Sequence, residues 1–277
     1  MTNDLRGRKV LLTGASRGIG LYIARVLARH GAVLALTARS AGSLENTAAE
    51  IRELGVHAVA LPADVSDSAA RKKLLADAEA AIGPLDILVN NAGLEWVSRY
   101  TAIPVDDIEN MVHTNLVAPL ALSRLALPGM IERGRGHIVM MSSLGGKKGS
   151  PYSATYAATK AGLIAWTSGM REELRGTGVS ASVICPGFIS DAGMFAVYGK
   201  SAPKLAGETT PEKVADEVLR AIRQDVGDIT VNPGPMRLMA VLEAINPAIM
   251  SWVLRHFGVY DFYRQQADEN QARRGTT

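Results

Sequence analysis

The amino-acid sequence predicts an α/β fold, a doubly wound parallel sheet of about seven strands with helices on both faces. Short apolar segments alternate with helix-like segments along most of the chain, as parallel strands joined by crossover helices require. A glycine-rich turn at 14–20 separates the first apolar run from the first helix-like segment. With 277 residues the chain can bury a sizeable core, so we expect a single domain over 1–277.

The predicted strands are apolar runs, and helix-like segments lie between them. The strands are 9–13, 32–37, 57–61, 86–90, 137–141, 179–184 and 229–231. The helices include 21–27, 44–54, 68–82, 105–131, 153–175 and 211–222. Ligands of such sheets bind beyond the carboxyl ends of the strands, so we expect functional residues in the loops that follow them.

Composition and charge exclude several classes of function. The net charge is +3 without a block of lysines and arginines, which argues against nucleic acid as a partner. Cys185 is the only cysteine, so an internal disulfide or a cysteine metal cluster is excluded. The first residues lack an apolar signal region, and no uninterrupted apolar run reaches the roughly 18 residues of a membrane span. We therefore expect a cytoplasmic protein without a transmembrane segment.

The segment Thr13-Gly-Ala-Ser-Arg-Gly-Ile-Gly20 is the first candidate binding site. A strand, a glycine turn and a helix in this order are the setting of a dinucleotide site, because glycines admit a pyrophosphate close to the backbone. The helix N-terminus adds free N–H groups and a positive dipole end. The spacing is Gly-x-x-x-Gly-x-Gly, which differs from the standard fingerprint, and a tight turn without a ligand is the alternative.

Tyr156 and Lys160 are the most informative pair of the chain. They lie four positions apart on a predicted helix, so both side chains share one face. A lysine ammonium beside a phenol favours the phenolate, and we expect it to lower the tyrosine pKa from its ordinary value of about 10. Such a phenol can act as a general acid or base. The alternative is an ordinary aromatic residue and a solvated lysine.

Several motifs in this order resemble those of the classical short-chain dehydrogenases/reductases. Besides the glycine turn and the Tyr-x-x-x-Lys pair, the matching residues are Asp64-Val65, Asn90-Asn-Ala-Gly93, Asn115, Ser143 and Pro186-Gly187. The resemblance covers roughly 7–232. It implies a Rossmann-like fold and hydride transfer between NAD(P) and an alcohol or carbonyl.

The resemblance also implies four catalytic residues. Ser143 would hydrogen-bond the carbonyl oxygen and Tyr156 would donate a proton to it. Lys160 would hold the nicotinamide ribose, and Asn115 would hold a water molecule of a proton relay. As alternatives, Ser143 could simply end a strand, and Asn115 could satisfy backbone groups in a helix kink.

The end of the second strand favours NADP(H) over NAD. It reads Leu36-Thr-Ala-Arg39-Ser40, without the acidic residue that binds the ribose 2′-hydroxyl in NAD enzymes of this fold. Arg39 and Arg17 would instead bind a 2′-phosphate, unless both are solvated surface charges. We expect the cofactor to contact Gly14, Ser16, Arg17, Gly18, Ile19, Gly20, Arg39, Asp64, Val65, Asn91, Ala92, Gly93, Tyr156, Lys160, Pro186, Gly187 and Ile189.

A predicted substrate lid over 190–208 and several further pocket walls indicate an apolar carbonyl or alcohol as the substrate. The lid includes Met194, Phe195, Val197 and Tyr198, and the walls include Leu94, Glu95, Trp96, Leu144 and Tyr152. Most of these residues are apolar, although apolar side chains there can equally pack on the core. In the lid, Asp191 stands where the family often has a threonine that binds the nicotinamide carboxamide.

The C-terminal segment 233–277 extends beyond the family core. We predict helical faces in 238–245 and 249–257, separated by Asn246-Pro247, which suits a helix cap and first helical position. The segment could cover the cleft, pair subunits or dock on a membrane. From Met236 onward it holds five arginines and four acidic residues without a polybasic cluster, which favours the first two.

The sequence therefore predicts an NADP(H)-dependent oxidoreductase that acts on a small, hydrophobic carbonyl or alcohol. One alternative is a reductase of long-chain keto lipids at a membrane surface. Another is a non-enzymatic NADP(H)-binding sensor, which could dispense with the Tyr156 and Lys160 pair. Many relatives pair subunits through the helices that carry Asn115 and Tyr156, so we expect a homodimer or homotetramer by analogy.

Overall fold

The computed structural model describes residues 5–190, 202–203, 207–234, 243 and 245–274. The predicted lid residues Met194, Phe195, Val197 and Tyr198, and Asp191 with them, lie outside the described residues. Most of the predicted helix at 238–245 also lies outside them.

A seven-stranded parallel sheet forms the centre of the fold. Its strands are β1 (Lys9–Thr13), β2 (Val33–Thr37), β3 (Ala58–Ala60), β4 (Ile87–Asn90), β5 (Gly136–Met141), β6 (Val179–Pro186) and β9 (Asp228–Val231), and the short strands β7 (Phe188–Ile189) and β8 (Glu208–Thr209) pair with each other. The order β3-β2-β1-β4-β5-β6-β9 reverses direction between β1 and β4. A ligand cleft is expected at this switch point, beyond the carboxyl ends of the two strands.

Helices cover both faces of the sheet. They are α1 (Ile19–Arg29), α2 (Ala41–Glu53), α3 (Ser68–Ile82), α4 (Val105–Val112), α5 (Ala118–Glu132), α6 (Leu144–Lys147), α7 (Ala154–Glu173), α8 (Pro211–Gln224), α9 (Pro247–His256) and α10 (Val259–Arg274). On β1, Val10 and Leu12 are buried in the core cluster that includes α1, α2 and α8, whereas Leu11 is buried in the cluster that includes α3, α5 and α7. Alternate strand residues therefore fill two cores, and the predicted doubly wound fold is confirmed.

The predicted helix at 105–131 is continuous but not uniform. A π-helical turn, His113–Val117, joins α4 to α5. The run Val105–Glu132 is the one helix in the described part of the chain that is long and apolar enough to cross a membrane by length and composition alone. It packs against α3 and α7, and Met111, Leu122 and Met130 are buried. Its apolar character follows from this place in the core.

The described part of the C-terminal extension packs against the main body of the fold. Asn246 caps α9 through its side-chain oxygen, which accepts from Ala248 N at 2.9 Å, as the sequence predicts. From α10, Asn270 Nδ2 donates to Val97 O at 2.9 Å, and Asp268 forms a 2.9 Å ion pair with Arg99. These contacts fix α10 against the loop that follows β4.

Candidate active site

The glycine turn between β1 and α1 leaves no room for side chains at two of its positions. A Cβ atom on Gly14, whose φ is +68°, would lie 2.8 Å from Ala92 Cα, and one on Gly20 would overlap the Gly14 carbonyl oxygen. Asn91 Nδ2 donates to Thr13 O at 2.9 Å and to Gly14 O at 3.1 Å. No side chain of the described residues caps α1, so the N–H groups of its first turn remain available to an anion.

A cavity of about 1730 Å³ extends from this turn along the carboxyl ends of the strands. Its lining includes every residue that the sequence predicts for the cofactor, from Gly14 to Ile189. Ser143, Tyr156 and Lys160 also line it, whereas Asn115 does not. The fold therefore brings predicted site residues from seven separate segments of the chain to one place.

Two arginines flank one end of the cavity. Arg17 and Arg39 line it with exposed side chains, and neither forms a salt bridge with a residue that the structure describes. Burial alone would raise the pKa of Asp64, but hydrogen bonds from Ser66 and the positive charge of Arg39 hold that pKa below its ordinary value. Positive charge is therefore concentrated here, where the predicted 2′-phosphate would bind.

Ser143, Tyr156 and Lys160 meet further along the cavity. Lys160 Nζ donates to Met141 O at 2.7 Å and lies 5.5 Å from the centre of the Tyr156 ring. Ser142 Oγ donates to Lys160 O at 2.8 Å, which ties α7 to the end of β5. Ser143 caps α6, because its Oγ accepts from Gly145 N at 3.1 Å, and its hydroxyl is near enough to the Tyr156 hydroxyl to lower the pKa of the phenol.

The prediction that Lys160 lowers the pKa of Tyr156 is wrong for this structure. Burial, and then the negative charge of Glu95, raise the pKa of the phenol above its ordinary value, although the hydrogen bond with Ser143 opposes them. Burial also lowers the pKa of Lys160 to about 8. Desolvation disfavours both charged forms, and here it outweighs the attraction that the helix spacing predicts.

Asn115 lies in the π-helical turn and is 1% exposed. Its Oδ1 accepts from Leu94 N at 2.7 Å, and its Nδ2 donates to Leu94 O at 2.7 Å and to Thr159 Oγ1 at 3.3 Å. The amide therefore holds the loop after β4, and none of these three hydrogen bonds goes to the backbone of the helix kink that the alternative interpretation names. A role in a proton relay stays a prediction.

The predicted pocket walls are partly correct. Leu94, Glu95 and Leu144 line the cavity. Trp96 and Tyr152 do not line it, and this part of the prediction is wrong: Trp96 is 37% exposed, and Tyr152 takes a positive φ of 65° in the turn before α7. Proximity in sequence to a site residue does not determine on which side of a loop a side chain lies.

The extension supplies lining residues that sequence reasoning did not identify individually. They include Met250 and Leu254 of α9 and Val259, Phe262, Tyr263 and Gln266 of α10. Phe262 and Tyr263 pack on Phe188, with ring centres 5.7 and 6.3 Å apart. Of the three predicted roles of the extension, covering the cleft agrees with the position of these helices. In the sequence, only the aromatic and apolar content of the segment indicated that it packs against the rest of the fold.

The residues present fit a dinucleotide. The glycine turn gives close access to backbone N–H groups, and the arginines provide charge at the end where a 2′-phosphate would bind. At the other end, both side-chain polar atoms of Asn232 are buried without a hydrogen-bond partner among the described residues, and the amide contacts Gly187. An amide with a free donor and acceptor is suited to a polar group such as a carboxamide.

Comparisons with known proteins agree with this geometry. Residues 8–202 match the family model described as short chain dehydrogenase. The ketoacyl reductase HetN of Nostoc sp. is 43% identical over 276 residues, which cover 98% of this chain and 96% of that protein. An uncharacterized oxidoreductase of Staphylococcus aureus is 34% identical over 233 residues, which cover 83% of this chain and 98% of that protein.

A solved structure is similar as well. It is the crystal structure of a metagenomic short-chain oxidoreductase in complex with NADP, with a TM-score of 0.71 and 34% identity. The match covers 82% of this chain and 97% of that chain. The Nostoc relative, by contrast, matches nearly the whole of this chain, so its similarity includes the C-terminal extension.

Proposed function

The chain belongs to the short-chain dehydrogenase family of oxidoreductases, and we propose that it is an NADP(H)-dependent enzyme that transfers a hydride between the nicotinamide and a carbonyl or secondary alcohol. The observation that carries this proposal is the meeting of Ser143, Tyr156 and Lys160 in the cavity that begins at the glycine turn. A sensor that only binds the cofactor has no need of an acid at this position.

In the proposed mechanism Tyr156 is the general acid of carbonyl reduction. The nicotinamide, when bound, supplies the hydride. The raised pKa of Tyr156 keeps the phenol protonated at neutral pH but makes it a weaker acid, so donation to the oxygen on which negative charge develops requires groups that stabilise the resulting phenolate. Ser143 donates a hydrogen bond to the same oxygen, and Lys160 stabilises the phenolate that remains.

Arg17 and Arg39 support NADP(H) as the cofactor. Both line one end of the cavity, and guanidinium groups bind phosphate oxygens strongly. The similar metagenomic oxidoreductase was crystallised with NADP, which supports the same assignment. NAD is less favoured, because β2 is not followed by the acidic residue that would bind its 2′-hydroxyl.

An apolar substrate of the ketoacyl type is supported by two observations. Met250, Leu254, Val259 and Phe262 place an apolar surface of the extension along the cavity. The Nostoc relative, whose similarity includes the extension, is a ketoacyl reductase by name. A site that shares this extension is suited to a carbonyl compound with a similar apolar body.

A second candidate is the reduction of long-chain keto lipids at a membrane surface, and the exposed face of α9 favours it. Ile249, Trp252 and Phe257 are 43%, 59% and 51% exposed, and the last turn of α9 carries Arg255 and His256. Amphipathic helices of this kind can lie in a lipid interface. Flotation with anionic and neutral vesicles tests it, and protein that stays at the bottom of the gradient with both kinds of vesicle removes this candidate.

The oxidation of NADPH with a panel of ketones, aldehydes, quinones and 3-ketoacyl thioesters tests the proposed function. We expect turnover with apolar members of the panel. In Tyr156→Phe, turnover should fall by about 100-fold or more while NADPH still binds. The exposed Tyr100 (60% exposed) offers a matched control, and Tyr100→Phe should retain activity. Binding of NADPH without turnover of any member would favour the sensor instead.

A further inference from the structure

Gln266 is a buried polar residue whose hydrogen-bonding groups are only partly satisfied by the described residues around it. Its side chain is 1% exposed, yet Gln266 lines the cavity. Its Oε1 atom has no hydrogen-bond partner among the residues that the structure describes. A buried carbonyl oxygen without a partner costs about 1–3 kcal/mol, so such an atom indicates a group that binds there.

A chain of hydrogen bonds fixes the orientation of this amide. Val97 O can only accept, so the Asn270 atom 2.9 Å from it must be Nδ2. Asn270 Oδ1 then faces Gln266 and accepts from its Nε2 at 3.5 Å. The remaining atom of Gln266, the one without a partner, is therefore the acceptor Oε1.

This acceptor lies on the face of α10 that is directed at the reacting groups. Tyr263 precedes Gln266 by one helical turn and is close enough to Tyr156 to raise the pKa of its phenol. Val259, Phe262 and Tyr263 line the cavity on the same face and provide apolar surroundings, in which a single polar atom discriminates strongly between ligands.

Resting on the proposed function, we infer that Gln266 selects the substrate: the site takes an apolar carbonyl compound that also carries an N–H or O–H donor, such as an acyl chain with a secondary amide. Oε1 is buried and has no partner among the described residues, so a ligand that seats a donor against it relieves the cost of an unpaired acceptor. A ligand without such a donor leaves that cost in place, so compounds with a donor at the right distance from the carbonyl are favoured.

A series of ketones tests this inference. Its members are secondary amides that differ in the separation between ketone and N–H, each compared with the ester of the same shape, in which oxygen replaces N–H. At the matching separation we expect kcat/KM to be larger for the amide by on the order of tenfold or more. Gln266→Leu should remove this preference. The same change at the exposed neighbour, Gln265→Leu, should retain it.

Two further measurements keep the result interpretable. Thermal unfolding shows whether the variants fold: Gln266→Leu removes the unpartnered acceptor Oε1 but also the long hydrogen bond to Asn270 Oδ1, so its unfolding temperature should stay close to that of the wild type. Calorimetric titration with alkyl amides and esters that lack the ketone repeats the comparison without turnover. Equal binding and equal kcat/KM of amide and ester at every separation would overturn the inference. If no ketone is reduced but the amide binds better in a Gln266-dependent way, the proposed function fails and the inference stands.

Discussion

Arg39 determines the choice between NADP(H) and NAD in the proposed function, so its replacement by aspartate tests that choice. The side chain is exposed, lines the cavity, and forms no salt bridge with the described residues. Arg39→Asp should therefore leave the fold intact and act on the cofactor alone. The new carboxylate would also supply the acidic group that binds a ribose 2′-hydroxyl.

The expected loss follows from charge. Two unit charges about 4 Å apart in water interact by about 1 kcal/mol, and a phosphate monoester carries a charge of about −2. Arg39→Asp removes about 2 kcal/mol of attraction and adds about 2 kcal/mol of repulsion. Screening by salt reduces the sum to about 3 kcal/mol, which raises the Kd of NADPH on the order of 100-fold.

Fluorescence titration of NADPH and NADH into both proteins measures this effect. The affinity for NADH should stay the same or increase, and the preference of the wild type for NADPH should weaken as salt is added. Arg223→Asp changes the net charge equally at an exposed position that does not line the cavity, and it should leave both affinities unchanged. Equal NADPH affinity in Arg39→Asp and the wild type would refute the assignment of the 2′-phosphate to this end of the cavity.

Three further predictions concern the turn, a buried histidine and the general acid. Gly20→Ala would force a Cβ atom onto the Gly14 carbonyl and should destabilise the fold by about 3 kcal/mol or more. At Gly42 nothing lies within 4 Å of an added Cβ atom, so the control Gly42→Ala should be neutral or stabilising by up to about 1 kcal/mol. Unfolding of both variants in denaturant measures the two effects. Burial lowers the pKa of His137 to about 4 from an ordinary value of 6.5. Between pH 6.5 and pH 4 the unfolded chain therefore binds more protons than the folded chain. The free energy of unfolding should fall by roughly 3 kcal/mol as the pH drops through this range. This loss should be smaller in His137→Gln than in the exposed control His57→Gln, and equal pH dependence in the two would contradict the burial argument. The charge of Glu95 also raises the pKa of Lys160, which burial lowers to about 8, and Lys160 supports the general acid in its charged form; Glu95→Gln should therefore move the basic limit of carbonyl reduction to lower pH, and an unchanged pH profile would exclude Glu95 as a cause.

Much of the fold between 9 and 231 could be predicted because each element carries its own local signal. The strands are short apolar runs, the turn at Gly14 is marked by its glycines, and Asn246-Pro247 marks the start of α9. In each case the determining residues are neighbours in the chain. The residues predicted to contact the cofactor line the cavity for the same reason, since each follows the end of a strand or lies on one helix face; Asn115, in a π-helical turn, does not line it.

The electrostatics of the site could not be predicted in this way. The pKa of Tyr156 depends on burial and on Glu95 and Tyr263, which come from distant parts of the chain. A helix spacing of four residues shows that Lys160 is near, but it does not show that both groups are withdrawn from water.

The role of α10 was also not visible in the sequence. Its residues are mostly polar, and the apolar ones are concentrated in its first turns. Gln266 and Ala267 are nevertheless buried, because the helix is held by contacts such as the one between Asn270 and Val97. Periodicity reports an apolar face, whereas the burial of a polar residue depends on its tertiary partners.

Isotope transfer tests the central claim most directly. The protein is incubated with an apolar ketone and NADPH that carries deuterium at the transferable C4 position, and the alcohol is analysed by mass spectrometry. We predict an alcohol with one deuterium on the carbinol carbon, formed by the wild type and by Tyr100→Phe but not by Tyr156→Phe. Unlabelled alcohol, or equal labelling by Tyr156→Phe, would contradict hydride transfer assisted by this tyrosine.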